Sequence, residues 1–166
     1  MDLFNTTSTD ELRPRLLALT HASEWADGLL ARRPYADLDE LLSVSDGLVT
    51  ALPVEQIDSA LAGHPRIGEK AGGLDAESVA RSAREQSAMS QADAALQEQM
   101  ARGNADYEQR FGRIYLVAAA GRSAEELVGL LHERLGNDPA TELDVVRREL
   151  ARITRLRLAE APLVGG

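Results

Sequence analysis

The chain has no cysteine in its 166 residues, which removes disulfides, thiolate catalysis and Cys-based metal sites together. A cysteine-free composition fits a reducing compartment, and the expectation is a cytoplasmic protein. Aromatic residues make up only 4% and β-branched runs are scarce, so local preference turns away from sheet. No stretch reaches the roughly 20 apolar residues that cross a bilayer, and "MDLFNTTSTDEL" offers no basic segment followed by an apolar run. Basic residues are outnumbered 18 to 27, giving a net charge of −9, which repels both phosphate backbones and anionic lipid. Nucleic acid and membrane are therefore not expected partners.

What remains is a chain rich in Ala, Leu, Glu and Arg, 44% apolar and long enough for one core. The expected fold is all-α: a single-domain multi-helix bundle over 1–166 with one short extended apolar connector, and frayed ends at 1–7 and 160–166. "STDELRPRLLALT" predicts a helix capped from Ser8 to Asp10, with Pro14 in its first turn. "SEWADGLLARRP", "DLDELLSVSDGLVTALP" and "PVEQIDSALAG" predict three more, the last opened by Pro53 and closed by Gly63. Asp75 then caps a long helix ended by Gly103, and Asn104 caps a short one. "RIYLVAAAG" reads as the extended connector. "SAEE" has capping-box spacing, and Asp138-Pro139 opens a final helix.

Three features break the apolar pattern. The pair His64-Pro65 cannot lie inside a helix, because a proline ring clashes with the preceding turn and pushes its neighbour into extended backbone. His64 is thus displayed by a loop, either as a structural histidine or as an acid/base whose ordinary pKa of about 6.5 suits proton traffic near neutrality. In the long helix Ser82 and Gln86 fall on the face of Val79, Met89, Asp93, Leu96 and Met100, with Glu85 at its edge. They read as solvated side chains or as the wall of a polar pocket. In the last helix the stripe Leu143, Val146, Leu150 and Ile153 continues into Arg157, which either snorkels to water or holds a carboxylate through paired hydrogen bonds. No phosphate-binding glycine loop, nucleophile elbow or closely spaced histidine pair occurs.

Taken together, "GHPRIG" at 63–68, "SAREQ" at 82–86, "NADYEQRFG" at 104–112, "GRSAEEL" at 121–127 and "RLGNDPATEL" through "ARITRLRL" at 134–158 resemble the OHCU (2-oxo-4-hydroxy-4-carboxy-5-ureidoimidazoline) decarboxylases of urate breakdown. "FN" near the start and "ARRPY" at 31–35 extend the likeness over nearly the whole chain. The resemblance implies an all-helical homodimer with no metal or organic cofactor, converting OHCU to (S)-allantoin and carbon dioxide. It implies that His64 is the general acid/base and Glu85 its catalytic partner. Pro65, Ser82, Ala83, Arg84, Gln86 and the segment Tyr115, Leu116, Val117, Ala118 and Ala119 would line the substrate site, and Arg157 would contact substrate. The family's Phe-Gly-Phe-x-Phe is "FGRIY" here, with Arg113 in an aromatic's place. A non-catalytic helical interaction module and a related lyase acting on another ureido heterocycle are the competing readings.

Overall fold

A computed structural model describes residues 1–68 and 87–163. Among them the secondary structure is helical throughout, with no strand: α1 (Asp2–Thr6), α2 (Thr9–Thr20), α3 (Ser23–Ala31), α4 (Leu38–Thr50), α5 (Val54–Ala62), α6 (Ser87–Ser90), α7 (Ala94–Phe111), α8 (Ala124–Leu135) and α9 (Pro139–Glu160). None of these helices is long and apolar enough to cross a membrane. The chain divides into two compact units, one of Met1–Gly63 with the chain from Arg147 onward, the other of His64–Val146.

In the first unit, α2 to α5 begin and end much as their sequences predict. Ser8 and Asp37 each accept a hydrogen bond from the backbone three residues on, which satisfies amides that the helix leaves orphaned. Trp25, Leu29, Leu41 and Ile57 are wholly buried, and the Trp25 indole N–H, which must find an acceptor there, donates to Ser45 Oγ at 2.9 Å. Two expectations are corrected. Pro14 lies beyond the first turn of α2 and on its exposed side, where water can serve the carbonyl that loses its helical donor. Residues 2–6, expected to fray, form a helix because Phe4 is fully buried and packs edge-on against Tyr35 at 5.7 Å. Asn5 locks this contact by exchanging two hydrogen bonds with the Tyr35 backbone, at 2.8 and 2.9 Å. Burial raises the Tyr35 phenol to about 12, and its O–H donates to the Leu29 carbonyl at 2.8 Å.

The second unit departs further from expectation. The long helix does not run unbroken to Gly103. Asp93 turns out of the expected face and accepts from the Leu96 amide at 2.9 Å, so a new helix starts at Ala94 and runs past Gly103 and Asn104 to Phe111. The expected cap Asp75 and the stretch 75–86 lie outside the described residues. Gly103 does not stop α7, because it serves packing: a Cβ there would fall 2.4 Å from Leu131 Cδ2 of α8. The core of this unit gathers Ile67, Met89, Met100, Tyr107, Tyr115, Val117, Leu127 and Leu131. The "RIYLVAAAG" segment is non-helical, passing into a turn at Ala120 and Gly121, and α8 carries the full reciprocal capping box of Ser123 and Glu126.

Two opposed effects meet in Gly103→Ala. The substitution gains about 0.5–1 kcal/mol of helix propensity, but overpacking a closed core costs about 1–3 kcal/mol, and the fully buried Leu131 leaves no slack. We expect a net loss of about 1 kcal/mol, read as a lower urea midpoint at unchanged slope.

Candidate functional site

The loop that follows α5 carries His64 and Pro65, both half-buried, on non-helical backbone, as the proline requires. It is fastened from both sides. Ile67 inserts its side chain into the core of the second unit, while its carbonyl accepts a 2.9 Å hydrogen bond from Asn104 Nδ2 on α7. Arg66 pairs with Glu108, one turn further along α7, through two parallel contacts; the Nη2–Oε2 contact is 2.9 Å. The Arg66 hydrogen bond holds the Glu108 carboxyl below the usual carboxylate range, so the pair persists into mild acid. Gly68 closes the loop at φ +89°, a conformation that side chains other than glycine's rarely adopt. Between loop and helix lies a groove of about 320 Å³ walled by Arg66, Ile67, Met100, Asn104 and Glu108. His64 is not among its lining residues, so this groove is not assigned to the chemistry.

The connector is held still more firmly. Tyr115, Leu116, Val117 and Ala119 are buried and Ala118 half-buried, so their backbone groups need partners inside the protein. Arg134, on the last turn of α8, donates to the Leu116 carbonyl at 2.7 Å. It also reaches Glu142 Oε1 through Nε at 2.8 Å and Nη2 at 2.6 Å, with only 7% and 2% of the two side chains exposed. The Tyr107 hydroxyl donates to the same carboxylate oxygen, and Asn137 Nδ2 supplies the other at 2.8 Å. The guanidinium lies 4.8 Å from the Tyr115 ring centroid and 5.7 Å from that of Tyr107. Burial alone would lower the Arg134 pKa, but its hydrogen bond to Glu142 and the charges around it raise it, so the group stays cationic. Burial, then the bond to Glu142, pushes the Tyr107 phenol up.

Sequence reasoning missed this cluster. The last-helix stripe was expected to start at Leu143, which is only half-buried; Glu142 occupies the buried position instead. The signal was present, since Arg134 lies three residues beyond Leu131 and seven beyond Leu127, on the same buried face of α8. Arg157 belongs to the first unit, where it is buried, and its guanidinium donates to the Leu19 carbonyl at 3.0 Å near the end of α2. It does not snorkel. Ser82, Ala83, Arg84, Glu85 and Gln86 lie outside the described residues. His21 and His132 are exposed, and His21 ends α2 in a left-handed conformation.

Known proteins share this fold. The fold superposes on a crystal structure of OHCU decarboxylase obtained in the presence of (S)-allantoin, with a TM-score of 0.72 and 24% identity, covering 88% of this chain and 95% of that one. A 2-oxo-4-hydroxy-4-carboxy-5-ureidoimidazoline decarboxylase of Amia calva is 34% identical over 131 residues, 77% of this chain and 74% of the other. The uric acid degradation bifunctional protein TTL of Arabidopsis thaliana is 29% identical over 84% of this chain, which spans only 44% of that longer protein. These likenesses place the chain among the all-α carboxy-lyases. More narrowly, it belongs to the OHCU decarboxylase family, whose model matches residues 5–159.

Removing one partner from a buried ion pair leaves the other charge uncompensated, at about 3–5 kcal/mol. Arg134→Met should destabilise the protein by about that amount in urea titration, whereas Arg13→Ala, at an exposed pair with Asp27, should change stability by less than about 1 kcal/mol. Equal small effects at both positions would refute the structural weight given to Arg134.

Proposed function

We propose that this chain decarboxylates OHCU to (S)-allantoin and carbon dioxide, with His64 as the general acid/base. One observation carries the reading: in a chain matched by the family model from residue 5 to 159, the His-Pro pair stands on a non-helical loop pinned to α7. The substrate bears a hydroxyl and a carboxylate on one carbon, beside an unsaturated carbon holding the ureido group. When the carboxylate leaves as carbon dioxide, the electron pair of the broken bond moves toward that neighbouring carbon and its ring nitrogen, which takes a proton from solvent. His64 takes the hydroxyl proton, the oxygen becomes a carbonyl, and a proton returned to one face of the ureido-bearing carbon sets a single enantiomer.

In the same proposal Glu85 polarises the imidazole or the hydroxyl, and Pro65, Ala83 and Arg84 line the site with the connector residues from Tyr115 to Ala119. Ser82 and Gln86 hydrogen-bond the ring amides, and Arg157 meets an anionic group of the substrate. Too strong a grip on the departing carboxylate would stabilise the ground state more than the transition state, which limits how tightly Arg157 can hold that group. The reading extends to a cytoplasmic homodimer.

A positioned acid/base contributes about 100-fold to 10,000-fold in rate. With OHCU generated in the cuvette from urate by urate oxidase and hydroxyisourate hydrolase, the protein should give a rapid circular-dichroism signal of (S)-allantoin. His64→Asn should lose that rate while keeping its helical spectrum. Near-normal turnover by folded His64→Asn would remove the histidine from the mechanism, and racemic product at the spontaneous rate with the native chain would favour the interaction-module reading.

A further inference from the structure

The structure assigns Asn104 and Glu108, one turn apart on α7, as positioning residues that set the placement of His64 by clasping the two residues Arg66 and Ile67 that follow its proline; this rests on the catalytic reading of His64. Asn104 is 6% exposed and lies in the interior of a helix, where an amide side chain gains nothing from local capping. Among the described residues its Nδ2 makes one long-range bond, to the Ile67 carbonyl, and its Oδ1 is buried without a partner. An unpaired buried acceptor is costly, so on stability grounds alone the amide is a poor choice for this site. The bond it does make fixes a carbonyl three residues from the imidazole, on a segment with no helical hydrogen bonds of its own.

Glu108 adds direction to that point of attachment. A carboxylate facing a guanidinium through two parallel contacts fixes orientation as well as distance. With the Ile67 side chain in the core and Gly68 turning the backbone at φ +89°, the loop is held at three successive residues just past His64-Pro65. A half-exposed ion pair adds little stability, so the main effect of losing it is on the geometry of the loop. Misplacing a catalytic group by about 1 Å can cost about 100-fold in rate.

The test uses Asn104→Ala and Glu108→Gln in the full chain, read in two ways. The chain holds only three histidines, so the imidazole C–H resonances of His64 can be followed by NMR against those of His21 and His132. Both variants should shift or broaden the His64 signals and leave the other two in place. In turnover of OHCU they should lower kcat by about 10-fold to 100-fold with KM changed less than about threefold, since the loss falls on the reacting geometry rather than on binding. Should Asn104→Ala fail to fold, the more exposed Glu108→Gln decides alone. Unchanged His64 resonances in a folded Glu108→Gln protein would overturn the assignment, as would a kcat within twofold of the native value. If the native chain does not turn over OHCU, that failure belongs to the catalytic reading, and the NMR arm still decides whether the clasp positions His64.

Discussion

The second unit is organised around one buried charge pair, Arg134 with Glu142. Taking two charges out of water costs several kcal/mol per ion, and Coulomb attraction offsets this only when the remaining donors and acceptors are also met. Here Glu142 draws on Arg134, Tyr107 and Asn137, while Arg134 also serves the Leu116 carbonyl and lies against two tyrosine rings. Position along the helices helps: the cation is in the last turn of α8 and the anion near the start of α9, each at the end where the backbone dipole favours its sign. One pair thereby joins α7, the connector, α8 and the first turns of α9.

A greasy core could hold these helices together at lower cost, but it could not hold the connector. Among the described residues a buried, non-helical segment has no neighbouring strand to take its carbonyls. Arg134 meets that need at Leu116, and Tyr115 ties the segment to α8 by donating its hydroxyl to the Leu127 carbonyl at 3.1 Å. The charge pair is thus the consequence of placing bare backbone inside a helix bundle. The loop of His64 repeats the solution on a smaller scale, with the Asn104 amide in place of the guanidinium.

The sequence discloses these features unevenly, for physical reasons. Caps and breaks are local: Ser8, Asp37, Ser123 and Gly63 act within a turn or so of themselves, and their helices could be read directly. Gly103 and Asp93 mislead because each has two uses. A glycine followed by asparagine looks like a helix stop with a new cap, but the close approach of Leu131 explains the glycine and the Ile67 carbonyl explains the asparagine. Those partners lie 28 and 37 residues away in sequence. Phe4 is similar, since nothing within six residues shows that Tyr35 covers it.

Polar residues on apolar faces were the informative irregularities, and they divided into two kinds. His64 was visible because proline forbids a helix around it, a constraint carried by two adjacent letters. Arg134 and Glu142 were hidden because each falls at a position where the helix period wants an apolar residue and where a charge is easily assigned to the solvent side. Shifting the face of α9 by one residue, from Leu143 to Glu142, exposes the logic: an acid on the buried face of one helix requires a base on the buried face of its neighbour. The same test, applied to Asn104 on α7, finds the Ile67 carbonyl rather than a charge. A helix that keeps polar groups on its inner face is therefore committed to whatever non-helical backbone or opposite charge lies across from it, and in this unit those partners are the connector and the histidine loop.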